Sequence, residues 1–162
     1  HGRARVDSHK ELPVVGTAKA ELEATDFRPF KALADAPWAM TAHVVYSALD
    51  AERPATTSPG VIGEVIRGEI GFDGLLLSDD LSMEALKGSL GERAAASLAA
   101  GCDVVLHCNG KPAEMEQIAA VVGPLTVEAQ RRAAAARARL GAPEPIDPAA
   151  LLRRLDCSMI WV

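Results

Sequence analysis

The sequence predicts an α/β fold with a parallel sheet, and three observations carry that prediction. Apolar runs at Trp38–Tyr46, Leu75–Leu77 and Asp103–Cys108 recur roughly 30 to 35 residues apart, far enough for a crossover helix between parallel strands. The run Leu75-Leu76-Leu77 is too short for a helix and does not alternate, as expected of a strand buried on both faces. Helix start and stop signals fall between the runs, giving strand, helix, strand, helix, strand, helix. Three strands cannot close a barrel. The period therefore fits either an open doubly wound sheet or the back half of a (β/α)₈ barrel, and it does not choose between them.

Residues 1–16 contain Gly2, Pro13 and Gly16, show little periodicity, and read as a loop dense in polar groups, Arg3, Arg5, Asp7, His9, Lys10 and Glu11. Thr25 or Asp26 can cap a short helix through Leu33, with Phe27, Phe30 and Leu33 along one face. Pro37 breaks the chain before the strand Trp38–Tyr46, and residues 47–57 read as a polar loop around Pro54. Ser58-Pro59 is a helix start, Ser at the cap and Pro in the first turn, with Val61, Ile62, Val65, Ile66 and Ile70 as the apolar face. After the strand ending at Asp79-Asp80 come a short helix, Ser82 to Lys87, and a longer one from Leu90 to Ala100 that Gly101 ends. The third strand closes at Asn109-Gly110. Further helices are expected from Pro112 to Val122, from the cap Thr126 to Leu140, and from Pro148 to Leu155. Residues 17–140 thus hold the βα units, and 141–162 a last helix and tail.

Composition narrows the function classes. With 162 residues, 49% of them apolar, the chain is long enough for one domain with a substantial core. No apolar run reaches membrane-spanning length and no signal peptide is recognisable, so no membrane partner is expected. A net charge of -5 argues against a nucleic-acid surface, which needs a basic patch. Cys102, Cys108 and Cys157 lack zinc-type spacing and read as reduced thiols of a cytoplasmic protein. The chain opens at His1 in a polar stretch, as the interior of a longer protein would.

Asp79 and Asp80 stand where the apolar strand stops, at the C-terminal tip where α/β folds keep their chemistry. Either could instead cap the helix that follows, since Asp is a preferred N-cap residue. Position alone leaves both readings open.

Several stretches together resemble a known family. They are Ala39-Met40-Thr41-Ala42-His43-Val44-Val45-Tyr46, Gly71-Phe72-Asp73-Gly74 leading to Ser78-Asp79-Asp80-Leu81-Ser82-Met83, and Ala100-Gly101-Cys102-Asp103. In this order they resemble the bacterial β-N-acetylhexosaminidases of glycoside hydrolase family 3. The opening His1-Gly2 and Asp7-Ser8-His9 are similar to the end of that family's Lys-His-Phe-Pro-Gly-His-Gly loop and to its Asp-x-His pair. The resemblance covers most of residues 1–140.

It implies the C-terminal part of a (β/α)₈ TIM barrel and a retaining hydrolase that removes terminal β-linked N-acetylglucosamine. The implied substrates are amino sugars, peptidoglycan-derived muropeptides above all, recycled in the cytoplasm without cofactor or metal. By motif, Asp79 is the implied nucleophile, His9 the acid/base and Asp7 its partner, in a loop that closes over the sugar. The loop's Lys-His pair and the first five or so strands would precede His1, so the N-terminal half of the barrel is an implied partner.

The chemistry suits these residue types. A retaining glycosidase needs one carboxylate to attack the anomeric carbon and a second group that first gives and then takes a proton. An imidazole titrates near neutrality and can do the second task. If the loop is extended, positions 7 and 9 point to one side, as such a pair requires. Asp79 must stay ionised, so its site should supply hydrogen bonds rather than dry burial. Asp80 points the other way and takes a structural role.

His43 and His107, near strand tips, read first as packed or hydrogen-bonded core residues. Arg131, Arg132, Arg137 and Arg139 read as a solvated helix face. Trp38 reads as packing, and Trp161 lies in an unplaced tail. Two alternatives stand beside the hexosaminidase reading. One is another family 3 enzyme such as a β-glucosidase, against which Asp80-Leu81 stands where Trp is commoner. The other is a non-catalytic, receiver-type signalling domain that binds Mg²⁺ at an acidic pair.

Overall fold

The computed structural model describes residues 2–143 and 145–158. His1, Trp161 and the side chain of Cys157 lie outside that description. The architecture is α/β, with strands β1 (Val14–Val15), β2 (Trp38–Met40), β3 (Val45–Tyr46), β4 (Leu75–Asp80) and β5 (Val104–Leu106). The helices are α1 (Lys19–Ala24), α2 (Phe27–Ala32), α3 (Leu90–Ala100), α4 (Pro112–Ala119), α5 (Val127–Ala138) and α6 (Pro148–Ser158). A 3₁₀ turn at Ala55–Thr57 and a π-helix at Val61–Glu69 complete the set. Every strand pair is parallel, in a three-stranded sheet of order β2-β4-β5 and a two-stranded sheet, β1-β3. Among the described residues no helix is long and apolar enough to cross a membrane.

The apolar strand predicted at Leu75–Leu77 is the middle of the larger sheet and continues through both acids. Ile62 from the π-helix, Phe72, Leu76, Ala100 and Cys102 pack into one core behind it. Burial of each large apolar side chain here is worth about 1.5–3 kcal/mol. Gly74 is required where β4 begins, since a Cβ there would lie 2.5 Å from the Ala36 carbonyl oxygen. Ser58 Oγ accepts Val61 N–H at 3.1 Å in the helical turn that leads into the π-helix. Ser89 and Glu92 form a capping box on α3, which Gly101 ends at φ 115°. Thr126 accepts from Ala129 N–H and starts α5.

Four local readings change in the fold. The loop 1–16 ends in a short strand, β1, because Pro13 O and Val15 O accept from Val45 and Ser47 N–H. The run Trp38–Tyr46 is two strands in two sheets. Val44 N–H turns back onto Ala42 O, while Thr41 and His43 are drawn into a buried polar cluster.

Residues 19–32 form two six-residue helices, and Asp26 caps neither, its carboxylate being held by Arg3 and Thr25. Phe27 is buried with Leu22 and Val65, but Phe30 and Leu33 are exposed, so they do not share its buried face. The helix expected at Ser82 to Lys87 is a chain of turns. Arg93 binds the carbonyls of Leu81, Met83 and Gly88, Asp80 binds Ser82, and Leu81, Met83, Ala85 and Leu86 are all buried, a spacing no single helix face provides.

The arginines of α5 are not simply a solvated face. Asp103, 4% exposed at its side chain, accepts from Arg67 Nη2 at 2.8 Å, Arg132 Nη1 at 2.9 Å and Leu76 N–H at 2.8 Å. Arg131 and Arg132 both bind Asp73, and Arg139 reaches the Asp35 carbonyl. This network ties α5 and the π-helix to the N-terminal ends of β4 and β5, the edge opposite the acids.

Candidate active site

Because β2, β4 and β5 are parallel, their C-terminal ends share one edge, and Asp79 and Asp80 lie there on the central strand. The β4–β5 register shifts between Leu77 and Asp80. Ser78, fully buried, fills the gap by accepting Leu106 N–H at its Oγ, 2.9 Å away. A break of this kind re-aims the next side chain, and the next residue is Asp79.

The two acids have different surroundings. Asp79 is half-buried and accepts from Asp80 N–H at 2.8 Å. Asp80 is bound three times, by Ser82 N–H at 3.0 Å, Ser82 Oγ at 2.6 Å and Cys108 N–H at 3.2 Å. Burial acts to raise the Asp80 pKa, but these hydrogen bonds outweigh it and hold the carboxyl below its ordinary range. Asp80 is thus the structural member of the pair. Asp79 keeps acceptor capacity for another group.

Asp7 and His9 meet as expected, though a turn rather than an extended loop brings them together. Lys10 and Glu11 N–H both bond Asp7 O, and the Asp7 carboxylate accepts His9 N–H at 3.0 Å. His9 Nδ1 stands 2.9 Å from the same oxygen. The His9 main-chain N–H first, and its ring second, hold the Asp7 carboxyl below the usual carboxylate range. Both side chains are exposed, 72% for His9 and 53% for Asp7.

The loop that carries them is fastened at both ends. Arg3 grips Glu21, Thr25 and Asp26, and β1 pairs with β3, which follows the C-terminal end of β2. The dyad thus sits between the Arg3 anchor and β1. Among the described residues no hydrogen bond or ion pair joins the dyad to Asp79.

Two histidines complete the edge. His43 is fully buried, its Nδ1 2.8 Å from Thr56 Oγ1 and its Nε2 2.9 Å from the Asp80 carbonyl oxygen. Burial pulls its pKa down and favours the neutral ring. It is a hydrogen-bonded core residue, as read from the sequence. His107, 7% exposed at its side chain, lies between Glu114 at 3.1 Å and Asp80 at 3.9 Å, with neither ring nitrogen in hydrogen-bond geometry.

Among the described residues no cluster of three or more His, Cys, Asp and Glu could hold a metal ion. Sequence reasoning missed the grip of Arg3 and the His43 contact to Asp80. The alternation Thr41-Ala42-His43 was a weak signal for the second, but its partners lie far along the chain.

Comparison with known proteins bears on this edge. The model of the glycosyl hydrolase family 3 N-terminal domain matches residues 1–140. A protein named Beta-hexosaminidase from Alkalilimnicola ehrlichii is 50% identical over 113 residues, 67% of this chain and 32% of that protein. One of the same name from Tolumonas auensis is 47% identical over 116 residues, 68% of this chain and 34% of its own.

The solved family 3 β-N-acetylglucosaminidase of Paenibacillus sp. str. FPU-7 superposes with a TM-score of 0.75 at 32% identity, covering 91% of this chain and 32% of that one. Neisseria gonorrhoeae NagZ, solved with N-trifluoroacetyl-D-glucosamine, gives 0.71 at 37% identity, over 84% of this chain and 39% of that one. The chain spans about a third of the length of the named relatives it matches. Its parallel strands and helices are part of the family's TIM-barrel-like domain. By sequence and by fold, the chain belongs to glycosyl hydrolase family 3.

Proposed function

We propose that this chain carries the catalytic residues of a retaining exo-β-N-acetylglucosaminidase acting on muropeptides from peptidoglycan, in the cytoplasm. The Asp79 carboxylate attacks the anomeric carbon as the glycosidic bond breaks, and the departing oxygen takes the proton of His9. The resulting glycosyl ester on Asp79 is then opened by water, which gives its proton back to His9. Asp7 orients the His9 ring and offsets the charge of its cationic form. No step calls for a cofactor.

The observation that carries this reading is the Asp7–His9 pair, 2.9 Å apart, in a chain whose Asp79 stands half-buried at the C-terminal end of the central strand. Support for an amino sugar comes from relatives named Beta-hexosaminidase and from the gonococcal protein solved with N-trifluoroacetyl-D-glucosamine. Family membership displaces the receiver-type alternative. The remaining barrel units are supplied by the rest of the full-length protein.

The test is made on that full-length protein. Release of 4-nitrophenol from the N-acetyl-β-glucosaminide but not the β-glucoside is expected, followed by removal of N-acetylglucosamine from a muropeptide. A fluorinated glycoside should label residue 79. A label elsewhere, an inverted first product, or preference for the glucoside would refute the reading.

A further inference from the structure

We infer that His43 is a positioning residue for Asp79: its Nε2–H fixes the peptide that follows the acidic pair, and so holds the attacking carboxylate in place. This inference rests on the proposed role of Asp79.

The sheet leaves a gap where the nucleophile stands. The β2–β4 register ends at Met40 opposite Leu77, with Thr41 N–H bonded to Leu77 O as the last ladder contact. On the other side the β4–β5 register is broken between Leu77 and Asp80. Residues 78–80 therefore project past regular pairing on one flank and through an irregularity on the other. On the β5 flank the projection is still well held. Ser78 Oγ takes Leu106 N–H, Leu81 N–H bonds Leu106 O, and the Asp80 carboxylate takes Cys108 N–H. On the β2 flank His43 stands where a ladder bond would have been, 2.9 Å from Asp80 O.

The direction of each hydrogen bond is fixed by chemistry. A carbonyl oxygen only accepts, so Nε2 must carry the ring proton and Nδ1 of the neutral ring must accept. Thr56 Oγ1 then donates to Nδ1 at 2.8 Å, and Thr41 Oγ1 donates to Thr56 Oγ1 at 2.9 Å. Three side chains, each at most 5% exposed, thus form a fully directed chain ending on the Asp80 carbonyl. Such a chain holds one tautomer and one ring orientation.

The Asp80–Leu81 peptide is clamped at both ends, C=O by His43 and N–H by Leu106 O. The preceding peptide N–H, that of Asp80, is the donor to Asp79 Oδ1. Movement of Asp80 therefore moves Asp79. His43 does not carry protons in the reaction, being buried and neutral.

The experiment compares kcat and KM of the full-length protein with those of His43→Leu, His43→Gln and His43→Asn, on 4-nitrophenyl N-acetyl-β-glucosaminide. A misplacement of about 1 Å can cost about a hundredfold, so His43→Leu should lose roughly that in kcat with KM nearly unchanged. His43→Gln places an amide N–H where Nε2 stands and should recover most of kcat, and of the rate at which a fluorinated glycoside labels Asp79. His43→Asn places its amide nearer the Nδ1 position and should recover little.

If the Leu variant does not fold, the Gln and Asn pair decides alone. Equal kcat in those two, or a Leu variant with lowered Tm but wild-type kcat, overturns the inference. A wild-type protein silent on the glycoside overturns the proposed function itself, and is distinguished by being seen before any substitution is made.

Discussion

The carboxylate of Asp7 is bound twice by His9, through the main-chain N–H at 3.0 Å and through ring Nδ1 at 2.9 Å, both on one oxygen. A single acceptor thus fixes the turn and the ring together. An Asn at position 7 keeps an acceptor for the main-chain N–H but loses the charge, while Ala loses both. General acid–base groups contribute about 10²–10⁴-fold, and only substrates with poor leaving groups draw on the acid fully. His9→Ala should therefore slow a natural glycoside by that range and an activated aryl glycoside far less. Asp7→Ala should follow the same pattern more mildly, with Asp7→Asn between it and wild type. Steady-state kinetics on the two substrate types checks this, and equal losses on both would remove His9 from the acid role.

Asp79→Asn should abolish most turnover while leaving the fold. The Asn oxygen can still accept Asp80 N–H, the bond that Asp79 Oδ1 makes, so stability should change by less than about 1 kcal/mol. Loss of a catalytic nucleophile commonly costs about 10⁴-fold or more. Near-normal turnover by the purified variant would eliminate Asp79 as nucleophile.

Acid should destabilise the protein earlier than its carboxylates alone would cause. The folded His43 pKa is depressed by burial, so below an unfolded value near 6.5 the unfolded chain binds a proton that the folded chain does not. Stability is then full above about pH 6.5 and falls as pH drops through that value towards the folded pKa. His43→Gln removes the titrating group, and its Tm should vary less between pH 7 and pH 5 than that of wild type. Parallel Tm curves for the two proteins would contradict this linkage.

Removing the Asp103 carboxylate should be among the most damaging changes away from the candidate site. Asp103→Ala removes the buried carboxylate shared by Arg67 and Arg132, whose side chains are 17% and 16% exposed, leaving Arg67 only main-chain carbonyls and Arg132 only Asp73, and leaves Leu76 N–H unbonded. Breaking a buried charge pair on one side costs about 3–5 kcal/mol. Urea denaturation of the full-length variant measures it. A loss under 1 kcal/mol would show that the two arginines find water or other acceptors.

Much of the framework was legible in the sequence. Leu90–Ala100 is read from Ser89, Glu92 and Gly101, a capping box and a left-handed stop that need no distant partner. The strand through Leu75–Leu77 is read from an apolar run after a turn, and the dyad from the resemblance of Asp7-Ser8-His9 to a family motif. Where readings changed, a distant group had taken the local signal. Asp26 looks like a cap but is held by Arg3, 23 residues earlier. Ser82 to Lys87 looks helical, but Arg93 takes the carbonyls of Leu81 and Met83.

By itself, then, the sequence determined the central strand, the helices with strong caps, the parallel sense of the main sheet and, through a family resemblance, Asp7, His9 and Asp79 as candidates. Those features rest on periodicity, caps and motifs, which act over a few residues. Tertiary structure added the long-range contacts at the acidic pair that no local signal contains. Cys108 reaches Asp80 across 28 residues, and Thr56 orients His43 across 13. Hydrogen bonds of that span exist only once the sheet has brought its strand ends together, because neither partner meets the other in the unfolded chain.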